Sequence, residues 1–137
     1  MIRVTLMDTG PLVAFLSAGD QHHPWAAHAF DALTGRLISC EAVISEASFV
    51  LARDRHHRSV VLELAERMGI ELQPLGPELR TLRQMMDKCA TVPMSFSDAC
   101  LVRLADLHAS AVVMTCDADF GTYRRSNRRV IHTLMPT

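Results

Sequence analysis

The chain has 137 residues, of which 49% are hydrophobic and 21% charged, with a formal net charge of −1. That length suits one domain over residues 1–137 rather than two, and the apolar content excludes disorder of the whole chain. The near-neutral charge excludes a global pull toward nucleic acid, and no run approaches the roughly 18 apolar residues of a membrane span.

Residues 2–7 read as a strand closed by Asp8, an acid met too early for a secretory leader. A cytoplasmic protein is therefore expected. A short helix is predicted over 11–17, with Pro11 in its first turn, and Gly19-Asp20 breaks it. Pro24 opens a second helix to residue 33, Gly35 ends it, and residues 36–40 read as the second strand. Helices over 42–53 and 59–68 lead to Gly69 and a short strand at 70–73. A fifth helix covers 77–88 and a sixth covers 97–107; strands are expected at 111–115 and 129–132. Short apolar strands alternating with amphipathic helices predict an α/β layer on a mainly parallel sheet. No repeat, linker or low-complexity tract divides it.

Four acids stand where this pattern calls for apolar residues: Asp8, Glu46, Asp98 and Asp117. Asp8 and Asp117 close strand-like runs. Residues three and four apart share a helix face, which puts Glu46 with Ala42, Val43, Phe49 and Val50, and Asp98 with Met94, Leu101, Val102 and Ala105. The carboxyl ends of parallel strands are where α/β sheets bind ligands, so all four acids share an expected address. If neighbours stood about 5 Å apart, each ionised pair would repel by roughly 3 kcal/mol at an effective dielectric near 20. Protonation or a cation must relieve that. Oxygen ligands without histidine or thiolate select Mg²⁺ or Mn²⁺, and such a cation bridges carboxylates to phosphate oxygens while water attacks phosphorus in line. Plainer roles exist for each acid. Asp8 and Asp117 suit helix or turn caps, Ser95-x-x-Asp98 reads as a capping box, and Glu46 could pair with Arg53.

Other residues carry weaker hints. The four cysteines (Cys40, Cys89, Cys100, Cys116) have no paired spacing and read as reduced interior fillers, with Cys116 notable for adjoining Asp117. Lys88 is the only lysine among 14 basic residues, and Arg124, Arg125, Arg128 and Arg129 form a run suited to phosphate. A solvated loop is the plainer account of that run. His22-His23 and His56-His57 cannot each share a helix face and read as solvated residues; Trp25 reads as packing. Met85, Met86 and Met94 suit a groove for a partner segment, a dimer interface or simple core.

Asp8-Thr9-Gly10-Pro11-Leu12-Val13 resembles the first motif of PIN-domain ribonucleases, and Glu46 in Val43-Ile44-Ser45-Glu46-Ala47 matches their helical acid. Ser97-Asp98-Ala99 resembles the third motif, and Thr115-Cys116-Asp117-Ala118-Asp119-Phe120 the Thr-x-Asp-x-Asp-Phe segment, the family's most specific signature. The resemblance implies an α/β/α sandwich and a Mg²⁺- or Mn²⁺-dependent endoribonuclease. By position, Asp8, Glu46, Asp98 and Asp117 would be the catalytic quartet, with metal ligation by Asp8, Asp98, Asp117 and, more weakly, Asp119. Thr9 and Thr115 would support them by hydrogen bonds, and the four arginines would meet RNA. Stand-alone members of this size are commonly VapC-type toxins, often homodimeric and neutralised by a cognate antitoxin. One departure stands out: many relatives carry Asn or Ser where this chain has Gly10. A PIN-like module that binds RNA or protein without cleaving it is the alternative, although such members should have lost acids this chain keeps. A haloacid-dehalogenase phosphatase would want an acid at position 10, and a receiver domain a different acidic start and a late lysine.

Overall fold

The computed structural model describes residues 2–89 and 92–137; Met1, Ala90 and Thr91 lie outside them. Among these described residues five parallel strands form one sheet in the order β3-β2-β1-β4-β5. They are β1 (Val4–Met7), β2 (Arg36–Ser39), β3 (Glu71–Leu72), β4 (Val112–Met114) and β5 (Thr133–Leu134). Every residue of β1 is buried. That is the mark of a central parallel strand covered on both faces, and it explains an apolar run without polar alternation.

Among the described residues six helices flank the sheet: α1 (Thr9–Leu16), α2 (His23–Asp31), α3 (Glu41–Arg53), α4 (Val60–Met68), α5 (Leu79–Lys88) and α6 (Phe96–Leu107). Together they give the expected α/β sandwich. Most of α6 is buried, from Ser97 through Ala105 apart from half-exposed Arg103, because it packs on β1, β4, α3 and α5. Its side chains join Leu6, Met7, Leu12, Val43 and Leu51 in the core. Gly35 has φ +79°, and a Cβ there would stand 2.2 Å from the Arg3 carbonyl oxygen. Only glycine lets the turn before β2 press onto the backbone at Arg3, just ahead of β1. None of the described helices is long and apolar enough to cross a membrane.

The last strand differs from expectation. Residues 129–132 do not form it; β5 is Thr133–Leu134. The arginine run folds back on itself instead. Arg125 N–H donates to Arg129 O at 3.0 Å, Arg128 adopts φ +66°, and Arg124 and Val130 form an isolated antiparallel bridge. That turn uses the residues that would have extended the strand. Val113 and Thr115 then pair with the carbonyls of His132 and Leu134.

Candidate active site

The strand order reverses between β1 and β4. The chain steps from β1 to β2 and β3 on one side, then returns to β4 on the other. Asp8 follows β1 and Asp117 lies beyond β4, and Asp8 N–H donates to Met114 O at 3.0 Å. A switch point of this kind opens a crevice at the carboxyl ends of the strands. The crevice holds a shallow hollow of about 390 Å³ lined by Asp8, Thr9, Gly10, Glu46, Asp98, Cys116, Asp117 and Ala118. Four acids from four separate segments therefore converge.

Three of them also cap helical turns. Asp8 Oδ1 accepts from Thr9 N–H at 2.7 Å at the start of α1. Asp117 Oδ1 accepts from Asp119 N–H at 2.9 Å, opening the 3₁₀ turn Ala118–Gly121. Ser95 and Asp98 close a reciprocal capping box on α6, with Asp98 Oδ2 accepting from Ser95 N–H at 3.2 Å and Asp98 N–H donating to Ser95 Oγ at 3.1 Å. The capping roles expected of these three acids are observed. Helix starts carry partial positive charge, which favours carboxylates there.

A set of hydroxyls ties the acids down. Thr115 Oγ1 donates to Asp8 Oδ2 at 2.7 Å. Thr9 Oγ1 and Ser97 Oγ both donate to Glu46 Oε2, at 2.8 and 2.9 Å. The Tyr123 hydroxyl shares its proton between Pro93 O at 2.9 Å and Asp98 Oδ2 at 3.0 Å. Thr9 and Thr115 each donate a hydrogen bond to one of the convergent carboxylates. Ser97 and Tyr123 were not singled out from the sequence: a serine beside an acid has no periodic signal, and Tyr123 meets Asp98 only through the fold. The position of Tyr123 as the one tyrosine of the chain is the sole available hint.

Burial raises the Asp8 carboxyl to about 6, against the lowering effect of Thr115 and Thr9, and the charges of Asp98 and Glu46 add to the rise. Asp98 is raised for the same first reason, burial, with Asp117 adding to it. Burial also pushes the Cys116 thiol up to about 11. Gly10 answers its own departure from the family pattern: a Cβ there would lie 2.9 Å from Cys116 Cβ and 3.2 Å from Cys116 Sγ.

Several expectations are corrected. Glu46 is exposed; the buried side of α3 carries Val43, Ile44, Ala47 and Leu51, and Phe49 faces out at 66% exposure. Arg53 lies over the Phe49 ring rather than pairing with Glu46. Asp119 does not line the hollow and reaches it only through its backbone bond to Asp117. The arginines do not line it either. Arg125 is buried, its guanidinium on the carbonyls of Ala105 and Ala111, and Arg124 Nη1 turns back onto the carbonyls of Gly121, Thr122 and Tyr123. Arg128 and Arg129 are exposed, with no side-chain hydrogen bond among the described residues.

The four convergent acids present only oxygen atoms to the hollow, with Cys116 also in its lining. Asp98 Oδ1, Asp117 Oδ2 and Glu46 Oε1 accept no hydrogen bond among the described residues. Among those residues no three His, Cys, Asp or Glu side chains are grouped closely enough to hold a metal ion as they stand. The hollow is a convergence of carboxylates rather than a closed cage.

A PIN-domain family model matches residues 5–125. The crystal structure of VapC20 from Mycobacterium tuberculosis, described as a sarcin-ricin loop cleaving toxin, is similar in fold with a TM-score of 0.77. It shares 21% identity, and the alignment covers 86% of this chain and 93% of that one. Comparison with curated proteins gives no significant match. The family match runs from inside β1 to beyond the last of the convergent acids, and on that span the chain belongs to the PIN-domain family.

Proposed function

We propose that this chain is an endoribonuclease that hydrolyses RNA phosphodiester bonds with Mg²⁺ or Mn²⁺, acting as a single PIN-like domain and as the toxin of a toxin–antitoxin pair. The observation that carries the reading is the convergence of Asp8, Glu46, Asp98 and Asp117 on one hollow at the switch point of the sheet. The all-oxygen donor set suits a hard divalent cation. Asp8, Asp98 and Asp117 would hold it, with Asp119 a lesser contributor. When bound, the cation would acidify water at the scissile phosphate and offset charge on the leaving oxygen.

The residues of the chain supply the rest. Thr115 and the α1 backbone hold Asp8, while Ser95 and Tyr123 hold Asp98, so neither carboxylate needs to reorganise when substrate arrives. Thr9 and Ser97 fix one oxygen of Glu46 and leave Oε1 to take the proton of the attacking water. The open, solvent-facing position of Glu46 supports that role, because the proton must finally leave to solvent. Arg128 and Arg129, exposed and without a side-chain hydrogen bond among the described residues, would meet a phosphate backbone.

The test compares wild type with Asp98→Asn during brief expression in a bacterial host, mapping new RNA 5′ ends. Sharp ends present only with wild type are expected. Ribosomal RNA is the first place to look, since VapC20 is described as cleaving the sarcin-ricin loop. The purified protein should cut the same RNA with Mg²⁺ or Mn²⁺ and stop with chelator. Folded protein that makes no new ends, free of antitoxin, would turn the reading toward a non-catalytic RNA- or protein-binding module.

A further inference from the structure

One turn beyond Glu46, α3 carries an exposed aromatic ring. Glu46, Phe49 and Arg53 stand three or four residues apart, so they share one face of the helix, turned away from the buried Val43, Ile44, Ala47 and Leu51. Glu46 lines the acidic hollow. From the rise of an α-helix, Phe49 lies about 4.5 Å and Arg53 about 10.5 Å further along the axis. Phe49 is 66% exposed, and the Arg53 guanidinium carbon stands 5.9 Å from the centroid of its ring. Such a contact steadies the ring and leaves most of its surface open.

The chain that follows is basic. Arg53-Asp54-Arg55-His56-His57-Arg58 sets three arginines against one acid at the turn from α3 to α4. Arg53, Arg55 and Arg58 are exposed, and none of them forms an ion pair among the described residues. Arg36, Arg67, Arg83 and Arg103, by contrast, are each held by an acid. The turn itself is fastened. Arg55 takes φ +64°, and His56 Nε2 donates to Leu16 O at 3.1 Å, which ties the turn to the end of α1.

We propose, on the ribonuclease reading above, that this face of α3 holds single-stranded RNA beside the hollow, with a nucleobase stacked on Phe49 and the adjoining phosphates on Arg53, Arg55 and Arg58. An aromatic platform continued by cations suits a single strand, because every base has a π face and every nucleotide a phosphate. A base inside a duplex is already stacked, so the platform selects unpaired RNA. The charges favour RNA over a protein partner here. Phe49 stands between exposed Glu46 and Arg53 on its face, whereas the core of a protein interface is depleted of charge. The four acids of the hollow repel a polyanion, and the unpaired arginines along α3 supply the attraction that the hollow lacks.

The test titrates the full chain, in low-salt buffer with chelator so that nothing is cut, against single-stranded oligoadenylate carrying a fluorescent purine analogue that stacking quenches. Wild type should bind and quench. Phe49→Ala and Phe49→Leu should each bind about tenfold more weakly with most of the quench gone, and Phe49→Trp should restore both. Leucine keeps apolar bulk without a π face, so it separates stacking from simple hydrophobic contact. Arg53→Ala with Arg55→Ala and Arg58→Ala should reduce the salt slope of the affinity by about 2. Wild type that ignores the single strand, binds a duplex as tightly, or matches Phe49→Ala in affinity and quench overturns the proposal. Loss of a dimer in Phe49→Ala by light scattering, with RNA binding unchanged, would give this face to a second copy of the chain instead. Cleavage of the same RNA with Mn²⁺ is read separately. Cutting with Phe49 silent fails this proposal alone, and stacking without cutting fails the nuclease reading alone.

Discussion

At the scale of the residue, Asp8 shows how a site acid loads the fold. Its carboxyl is raised to about 6 by burial, above the roughly 3.9 of an unfolded chain. The folded state therefore holds the proton more tightly than the unfolded state between those values. Stability from this group is fully present below about 4 and is lost as pH rises through about 6, amounting to about 3 kcal/mol. In chelated buffer the melting temperature of wild type should fall across that window relative to Asp8→Asn, and run parallel to it above. Parallel curves through the whole window would show that Asp8 is not the loaded group. Gly10 gives a second residue-scale prediction. Gly→Ala at an exposed helix position gains up to about 1 kcal/mol, but here the new Cβ meets Cys116 Cβ at 2.9 Å, and such overpacking costs about 1–3 kcal/mol. The clash wins. Gly10→Ala should destabilise wild type by denaturant titration and stabilise a Cys116→Gly background; the same sign in both backgrounds would refute the contact.

At the scale of the element, the arginine run separates into structure and surface. The Arg125 guanidinium satisfies the Ala105 carbonyl at the end of α6 and reaches Ala111 O at 3.3 Å before β4. A cation at a helix C-terminus also meets the favourable end of its dipole. Arg125→Ala leaves buried carbonyls unpaired and should cost about 3 kcal/mol in urea titration. Arg128→Ala with Arg129→Ala should change stability by less than about 0.5 kcal/mol, yet weaken RNA binding and reduce its salt slope by roughly 1.4 for a single strand. An unchanged slope would take both residues out of the RNA path. This division was not legible in the sequence, because four arginines in six positions look alike until the loop turns at Arg128 and sends Arg125 inward. The same turn displaced the last strand. By contrast the strands β1, β2 and β4, with helices α3 through α6, were readable from apolar runs and caps, since local pattern decides those elements. Glu46 shows the limit of that pattern: its apolar neighbours suggested a buried stripe, yet Phe49 and Glu46 face out because α3 has a buried face made by Val43, Ile44, Ala47 and Leu51.

At the scale of the whole molecule, the parallel order β3-β2-β1-β4-β5 explains why the acids meet at all. Asp8 and Asp117 come from β1 and β4, which are neighbours in space but 105 or more residues apart in sequence (Met7 pairs with Met114). Folding must therefore bring like charges together across a long separation, and helix starts and hydroxyls only partly offset their repulsion. The fold holds a loaded hollow whose charge a divalent cation would discharge. A ligand that binds only the folded state stabilises it by about 2.7 kcal/mol at a hundredfold excess over its Kd. For a chain of this size that corresponds to a rise of roughly 10 °C in Tm. Chelated wild type titrated with Mn²⁺ or Mg²⁺ should show that rise, and Asp8→Asn or Asp117→Asn should lose most of it. Asp119→Asn should retain most of it, because Asp119 stands outside the lining of the hollow. Equal rises in all four proteins would place the cation elsewhere on the surface and leave the acids as caps alone; a loss in Asp119→Asn as large as in Asp117→Asn would put that fifth acid among the ligands.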